Sequence, residues 1–289
     1  MILNASGCLD ALTVPEVARE LDAFVTKTVT PEPREGNEPV RIAETDVGML
    51  NSIGLANPGI EAFVRDVLPR LADLGVPVWV SVGGFRAQDY ADLCAVLEPR
   101  DDVAAIELNV SCPNVAAPED EVAEIVAAAR AATSKRLYAK LSPANADIGA
   151  LATSAARAGA DGLSLVNTLR GLALDPRTLE PTLSTGTGGL SGPALRPVAL
   201  AAVYAAFKAT GLPIVGMGGV ANGRHALELM AAGADAVALG TVLFHDPHAA
   251  VRIREELVAE AAEAGFESPS EAVGAAHAEG GRRRLLRVA

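Results

Sequence analysis

Residues 212–241 read LPIVGMGGVANGRHALELMAAGADAVALGT, and their pattern decides the fold. LPIVGMG (212–218) is a short apolar run that ends in glycine, and GRHALELMAAGA (223–234) is amphipathic with helical spacing. Gly233 then offers the left-handed cap that ends a helix, Asp235 starts the return turn, and DAVALGT (235–241) is a second apolar run. This is a strand, a helix and a strand in about thirty residues, the size of one βαβ unit.

The same alternation runs through the whole chain. Strands are expected at ILNAS (2–6), AFVTKTV (23–29), VPVWVSV (76–82), AAIELNVS (104–111), RLYAKLS (136–142) and DGLSLVN (161–167), besides the two above. Amphipathic stretches lie between them, among them EAFVRDVLPRLADLG, EDEVAEIVAAARAAT and DIGALATSAARAGA. Eight strands with interleaved helices in 289 residues predict an α/β fold, a (β/α)8 TIM barrel. An open doubly wound sheet is disfavoured because no GxGxxG follows the first strand. Residues 30–58 and 168–193 are too long for plain connections, and each leaves the C-terminal end of a strand, so both are expected to be active-site loops. The expected organisation is a single barrel domain over 1–278 and a basic tail over 279–289 carrying Arg282, Arg283, Arg284 and Arg287.

Composition narrows the function. Half the residues are hydrophobic, enough for a large core, and only 3% are aromatic, which speaks against a stacking platform for single-stranded nucleic acid. A net charge of −12 repels polyanions, so neither nucleic acid nor an anionic membrane surface is an expected partner. Cys8, Cys94 and Cys112 are too few and too scattered for a disulfide framework or a CxxC metal site, and no apolar run reaches the roughly 18 residues of a membrane span. The expectation is a cytoplasmic protein without a metal.

In a barrel the polar residues at strand ends gather on one rim. Lys27 and Thr28 end the second strand, Asn109 and the SCPN run (111–114) the fourth, Lys140 the fifth, and Asn167 with Thr168 the sixth. Gly218, Gly219, Gly240 and Thr241 end the last two, where barrels hold phosphate on backbone amides. Lys140 is either a cation beside an electron-rich ring or a lysine reaching for the surface. Asn51, Asn109, Asn114 and Asn167 each offer a donor and an acceptor, which suits a planar heterocycle with several carbonyl and N–H groups. Cys112 follows a strand, precedes a proline and stands between two carboxamides, poor company for a packing residue, unlike Cys94 in its helical stretch. Among the four histidines only His225 falls near the rim, so Cys112 reads as a proton acceptor rather than as half of a Cys–His pair.

These motifs, in this order, resemble the class 1 dihydroorotate dehydrogenases. The resemblance rests on NASG (4–7), KTVT (27–30), GMLNSIGLANPG (48–59), IELNVSCPNV (106–115), AKLSP (139–143), LSLVNTLRG (163–171), GGLSGPALRP (188–197), GMGGV (216–220) and ALGT (238–241). It implies an FMN-dependent oxidation of dihydroorotate to orotate in pyrimidine biosynthesis. The residue matching Cys112 takes the C5 proton while hydride leaves C6 for flavin N5. By the same resemblance Lys27, Asn51, Asn109, Asn114, Asn167 and Thr168 hold the substrate. Ala5, Ser6, Gly7, Lys27, Thr28, Asn109, Lys140, Val166, Gly192, Gly218, Gly219, Gly240 and Thr241 hold FMN. NSIGLANPG is similar to the B subtype, whose members form homodimers and pair with an FAD and iron-sulfur subunit that passes electrons to NAD. The segment after Cys112 is shorter than the family's lid. A dihydropyrimidine dehydrogenase-like enzyme and an FMN-binding barrel without turnover are the alternatives.

Overall fold

A computed structural model describes residues 1–110, 118–145 and 147–277. In chain order its strands are β1 (Ile2–Asn4), β2 (Phe24–Val25), β3 (Ile42–Thr45), β4 (Gly48–Asn51), β5 (Val78–Val82), β6 (Ala105–Asn109), β7 (Leu137–Leu141), β8 (Gly162–Leu165), β9 (Leu169–Leu172), β10 (Thr187–Ser191), β11 (Ile214–Met217) and β12 (Ala236–Leu239). Eight of them form one parallel sheet in the order β1-β12-β11-β8-β7-β6-β5-β2, and a parallel bridge between Leu3 and Ala23 brings its two edges together. The structure therefore has the expected barrel, with each strand shorter at its ends than its apolar run.

Strand alternation sorts the side chains into two cores. Outward residues such as Leu108, Leu137, Leu141, Leu163 and Leu239 pack under the helices. Inward residues Leu3, Ala23, Val25, Trp79, Ala105, Tyr138, Val215, Met217, Ala236 and Ala238 fill the barrel. The two large rings in that set, Trp79 and Tyr138, lie 4.4 Å apart and plug the lower barrel. Tyr138 pairs in register with Gly162, where any Cβ would strike its ring, so the glycine makes the space for the plug.

Two residues further along β5, β6, β7 and β8 the inward face turns polar. Ser81, Glu107, Lys140 and Ser164 follow Trp79, Tyr138 and their neighbours on the same face, and all four are buried. The apolar plug thus supports a polar layer, and the mouth of the barrel lies above that.

The two long loops are not irregular throughout. They supply β3, β4, β9 and β10, which pair as an antiparallel sheet in the order β3-β4-β10-β9. Register places Ala43 opposite Leu50 and Leu50 opposite Leu190, and this face closes on Leu183 as a small separate core. The other face carries Ile42, Asn51 and Arg170 and looks onto the barrel mouth. The two expected loops thus carry regular structure of their own. Among the described residues no helix is long and apolar enough to cross a membrane. The tail with Arg282, Arg283, Arg284 and Arg287 lies outside the described residues.

Candidate active site

A cavity of about 540 Å³ opens at the C-terminal ends of the barrel strands, beneath the antiparallel sheet. Its volume is that of a typical ligand site. It collects Ala5, Ser6 and Gly7 after β1, Lys27 and Thr28 after β2, Asn51 from β4, Asn109 from β6 and Lys140 from β7. Val166, Asn167 and Thr168 after β8, Gly192 after β10, Gly218 and Gly219 after β11, and Gly240 and Thr241 after β12 also line it. Fourteen of these positions converge because barrel closure puts every strand end on one rim, and Asn51 and Gly192 join them from the antiparallel roof. Cys112 and Asn114 lie outside the described residues.

The polar side chains at the mouth are wired to one another. Asn167 donates from Nδ2 to Asn109 Oδ1 at 3.0 Å, and Asn109 donates from Nδ2 to Thr28 Oγ1 at 3.1 Å. Thr28 Oγ1 lies 3.0 Å from Ser81 Oγ and 3.3 Å from Ser6 Oγ. Tyr90 fixes the same strand end from outside, donating to the Asn109 carbonyl at 2.8 Å. The carboxamide of Asn109 is thereby oriented before any ligand arrives, because its oxygen and its nitrogen each have a stated partner. From the roof, Asn51 donates to the Gly189 carbonyl at 3.2 Å, which ties β4 to β10 directly above the mouth.

Two lysines reach the cavity. Lys140 is 5% exposed and approaches Glu107 Oε1 at 3.4 Å, so it points into the barrel and does not reach for bulk solvent. Lys27 lies across the end of β1, where Gly7, with φ +77, leaves room for it: a Cβ there would meet Lys27 Cδ at 2.9 Å. The partly exposed Cys8 lines the same cavity as both lysines; desolvation raises its thiol pKa, against the lowering pull of the two ammonium groups. Cys94 packs beneath its helix with its thiol pushed up to about 12 by burial, as suits a small hydrophobe.

At the opposite end the cavity has a glycine floor. Gly192, Gly218 and Gly219 have φ values of +95, +126 and +74, a region open to glycine at little cost. A Cβ on Gly219 would stand 2.9 Å from both the Gly192 carbonyl and the Arg196 amide. The helix Gly223–Ala232 begins next to this turn, with Asn222 Oδ1 capping the His225 amide at 2.9 Å, and Thr241 starts a one-turn helix nearby. Close backbone and helix starts form a cradle for an anion. Thr241 also donates to Ser191 Oγ at 2.9 Å, joining the cradle to the roof. His225 sits beside the cradle with its Nδ1 accepting from the Ala221 amide at 3.3 Å, and burial, followed by the charge of Arg196, lowers its pKa. It is turned to the backbone, in keeping with a structural place in the turn.

The donor set fits FMN: backbone amides for a phosphate at one end, two ammonium groups and three described asparagines for a ring system at the other, and apolar Val166, Leu195 and Met217 between. Sequence reading missed several lining residues. Arg34, with its guanidinium carbon 5.1 Å from the centre of the Phe85 ring, and Arg170 stand at the outer mouth, and neither occupies a strand end of the barrel. Glu107 was legible in principle, since it stands two residues before Asn109 on one strand face.

The sequence pattern described as Dihydroorotate dehydrogenase matches residues 1–260. The chain belongs to the dihydroorotate dehydrogenase family. It is 47% identical over 268 residues to the dihydroorotate dehydrogenase B (NAD(+)) catalytic subunit of Desulforudis audaxviator, covering 90% of this chain and 87% of that one. The protein of the same name from Halalkalibacterium halodurans is 43% identical, with 94% and 93% covered. A putative dihydroorotate dehydrogenase A (fumarate) from Solibacter usitatus is 47% identical over 244 residues, with 82% and 80% covered. A crystal structure of dihydroorotate dehydrogenase from Eimeria tenella, in complex with ferulenol, superposes with a TM-score of 0.80 over 96% of this chain and 85% of that one. At 23% identity it bears on the fold.

Proposed function

We propose that this chain is the FMN-containing catalytic subunit of an NAD-linked dihydroorotate dehydrogenase, oxidising dihydroorotate to orotate in pyrimidine biosynthesis. The observation that carries the reading is the single cavity in which two lysines and the wired asparagines Asn109 and Asn167 face a glycine cradle. When bound, FMN supplies a ring that accepts hydride.

The remaining work falls to backbone amides and side chains of this chain. The amides around Gly218, Gly219, Gly240 and Thr241, with Gly192, hold the phosphate, and Ala5, Ser6, Gly7, Thr28 and Val166 bound the ring system. Lys140 would place a positive charge beside the ring system, suited to stabilising negative charge there. Lys27, Asn51, Asn109 and Asn167, with Thr168 and Asn114, hold the carboxylate and the carbonyl and N–H groups of the pyrimidine, fixing which hydrogens face the ring. Cys112 removes the C5 proton as its thiolate. The antiparallel roof limits water above the substrate, which strengthens each of these electrostatic contacts.

For electron delivery we favour the NAD-linked subtype, with a separate FAD and iron-sulfur subunit and a homodimeric core in the cytoplasm. The names of the relatives from Desulforudis audaxviator and Halalkalibacterium halodurans support this over a fumarate-using enzyme.

The test is an anaerobic visible spectrum of the purified protein before and after addition of dihydroorotate. Bleaching of an oxidised flavin band is expected. A colourless protein that takes up no FMN would refute the cofactor, and a flavin that stays oxidised would refute the substrate. Cys112→Ala is expected to retain flavin and to slow its reduction by about 10² or more, the usual contribution of a placed acid or base. A near-normal rate would remove Cys112 from that role.

A further inference from the structure

We infer that Glu107 is a positioning residue for Lys140: its carboxylate, held in the barrel's polar layer, anchors the ammonium from below and presents it to the flavin ring. The inference rests on the FMN reading of the cavity and extends it to a residue that does not line the cavity.

Glu107 stands on β6, two residues below Asn109 and two above Ala105, so its side chain enters the barrel between the apolar plug and the ligand cavity. It is 1% exposed, and its Oε1 lies 3.4 Å from Lys140 Nζ. Lys140 is on the adjacent strand, paired in register with Asn109, so the contact runs diagonally across two neighbouring strands. That geometry pulls the lysine stem along the barrel wall toward the axis. Beneath the pair lie Trp79 and Tyr138, so the carboxylate has no aqueous exit downward.

A buried carboxylate is costly to keep in an apolar core, and removing one partner of such a pair leaves the other uncompensated. An alanine or leucine at 107 would suit the plug below it. An acid placed there therefore calls for a purpose beyond packing, and the group it touches is one of the two lysines facing the cavity. The shape of the arrangement also matters. An ammonium on a four-carbon stem is free to rotate, and one charged partner below narrows the positions it can take. The neighbouring Ser164, paired in register with Lys140, has a buried hydroxyl without a hydrogen-bond partner among the described residues. It provides a control perturbation in the same layer.

The experiment is a double-mutant cycle on the full chain, reading the FMN dissociation constant of the apoprotein and the midpoint potential of bound FMN. Lys140→Met is expected to lower the potential, because a cation near the reduced ring is lost. Glu107→Gln keeps the size of the side chain and removes its charge. It is expected to weaken FMN by about tenfold or more, in line with losing a hydrogen bond between charged groups, and to move the potential in the same downward direction. Glu107→Gln added to Lys140→Met is expected to weaken FMN no further, since the anchored group is gone. Ser164→Ala should leave both readouts as in the wild type.

A rise in potential for Glu107→Gln would mean that only its charge acts on the ring, and would overturn the positioning role. Unchanged readouts, or equal losses in the presence and absence of Lys140, would overturn it too. The doubly neutral Glu107→Gln/Lys140→Met protein leaves no lone buried charge, so it secures the cycle if Lys140→Met alone folds poorly; affinity and potential equal to those of Glu107→Gln alone support the role, and a further loss overturns it. Wild-type apoprotein that binds no FMN would refute the cofactor reading, and this inference with it; variant effects are judged only against a wild type that binds.

Discussion

Replacing Gly219 by alanine tests the cradle most directly. The residue has φ +74, a region that costs an amino acid with a Cβ roughly 1–2 kcal/mol. The added carbon would also stand 2.8 Å from Arg196 Cβ and 2.9 Å from both the Arg196 amide and the Gly192 carbonyl. Two of these neighbours are backbone atoms, which no rotamer change moves aside, so overpacking adds roughly 1–3 kcal/mol. The sum is about 2–5 kcal/mol. Gly186→Ala supplies the reference: its φ is +79, and nothing lies within 4 Å of the added carbon, so it should show the conformational cost alone. Urea unfolding of the two apoproteins isolates the steric part, and FMN titration reads whether the cradle opens. Gly219→Ala is expected to be the less stable and to bind FMN at least about tenfold more weakly if some 1.4 kcal/mol of the strain falls on the phosphate contacts. Equal stabilities together with wild-type FMN affinity would refute the claim that close backbone approach builds this site.

Further outcomes follow from other contacts. Trp79→Ala removes the larger half of the plug and is expected to cost about 3–5 kcal/mol in urea unfolding, as a large cavity does. Asn109→Ala breaks the chain from Asn167 to Thr28, and should lower kcat/KM for dihydroorotate by about tenfold or more while the barrel's far-UV circular dichroism is unchanged. Glu98 accepts hydrogen bonds from Ser134 and Thr133, which hold its carboxyl at about 2 against an ordinary 4.5. An acid with a depressed folded value contributes stability above its unfolded value and loses it as pH falls toward the folded one. Glu98→Gln should therefore flatten the fall in stability between pH 4.5 and about 2, checked by thermal unfolding across that range.

Much of this architecture can be read along the chain, for a local reason. Each barrel strand carries its own apolar run, and glycine steps followed by Asp or Pro mark several helix ends, so β5 through β8 and β11 through β12 announce themselves one at a time. The rim residues follow from knowing where strands end. The roof is different. β4 and β10 pair residues as far apart as Asn51 and Gly189, and both are short, glycine-containing segments with little β pattern of their own. Their pairing depends on the barrel holding two distant loops together, which no window of sequence displays. Glu107 was passed over for another reason: beside Asn109 and the cysteine run it reads as one polar residue more, and only the diagonal contact with Lys140 gives it a place.

That dependence has a consequence for how the molecule comes apart. The roof has a core of its own, but a very small one, made chiefly of Ala43, Leu50 and Leu183. The pairing of β4 with β10 that joins its two halves forms only after the chain between them is folded, so the roof stands at the low-stability end of the structure. Under mild denaturant the protein should pass through a form in which the floor still grips its prosthetic group while the ceiling has come undone. Such a form keeps its colour and loses its turnover, so a preparation judged by its yellow alone overstates the amount of working enzyme.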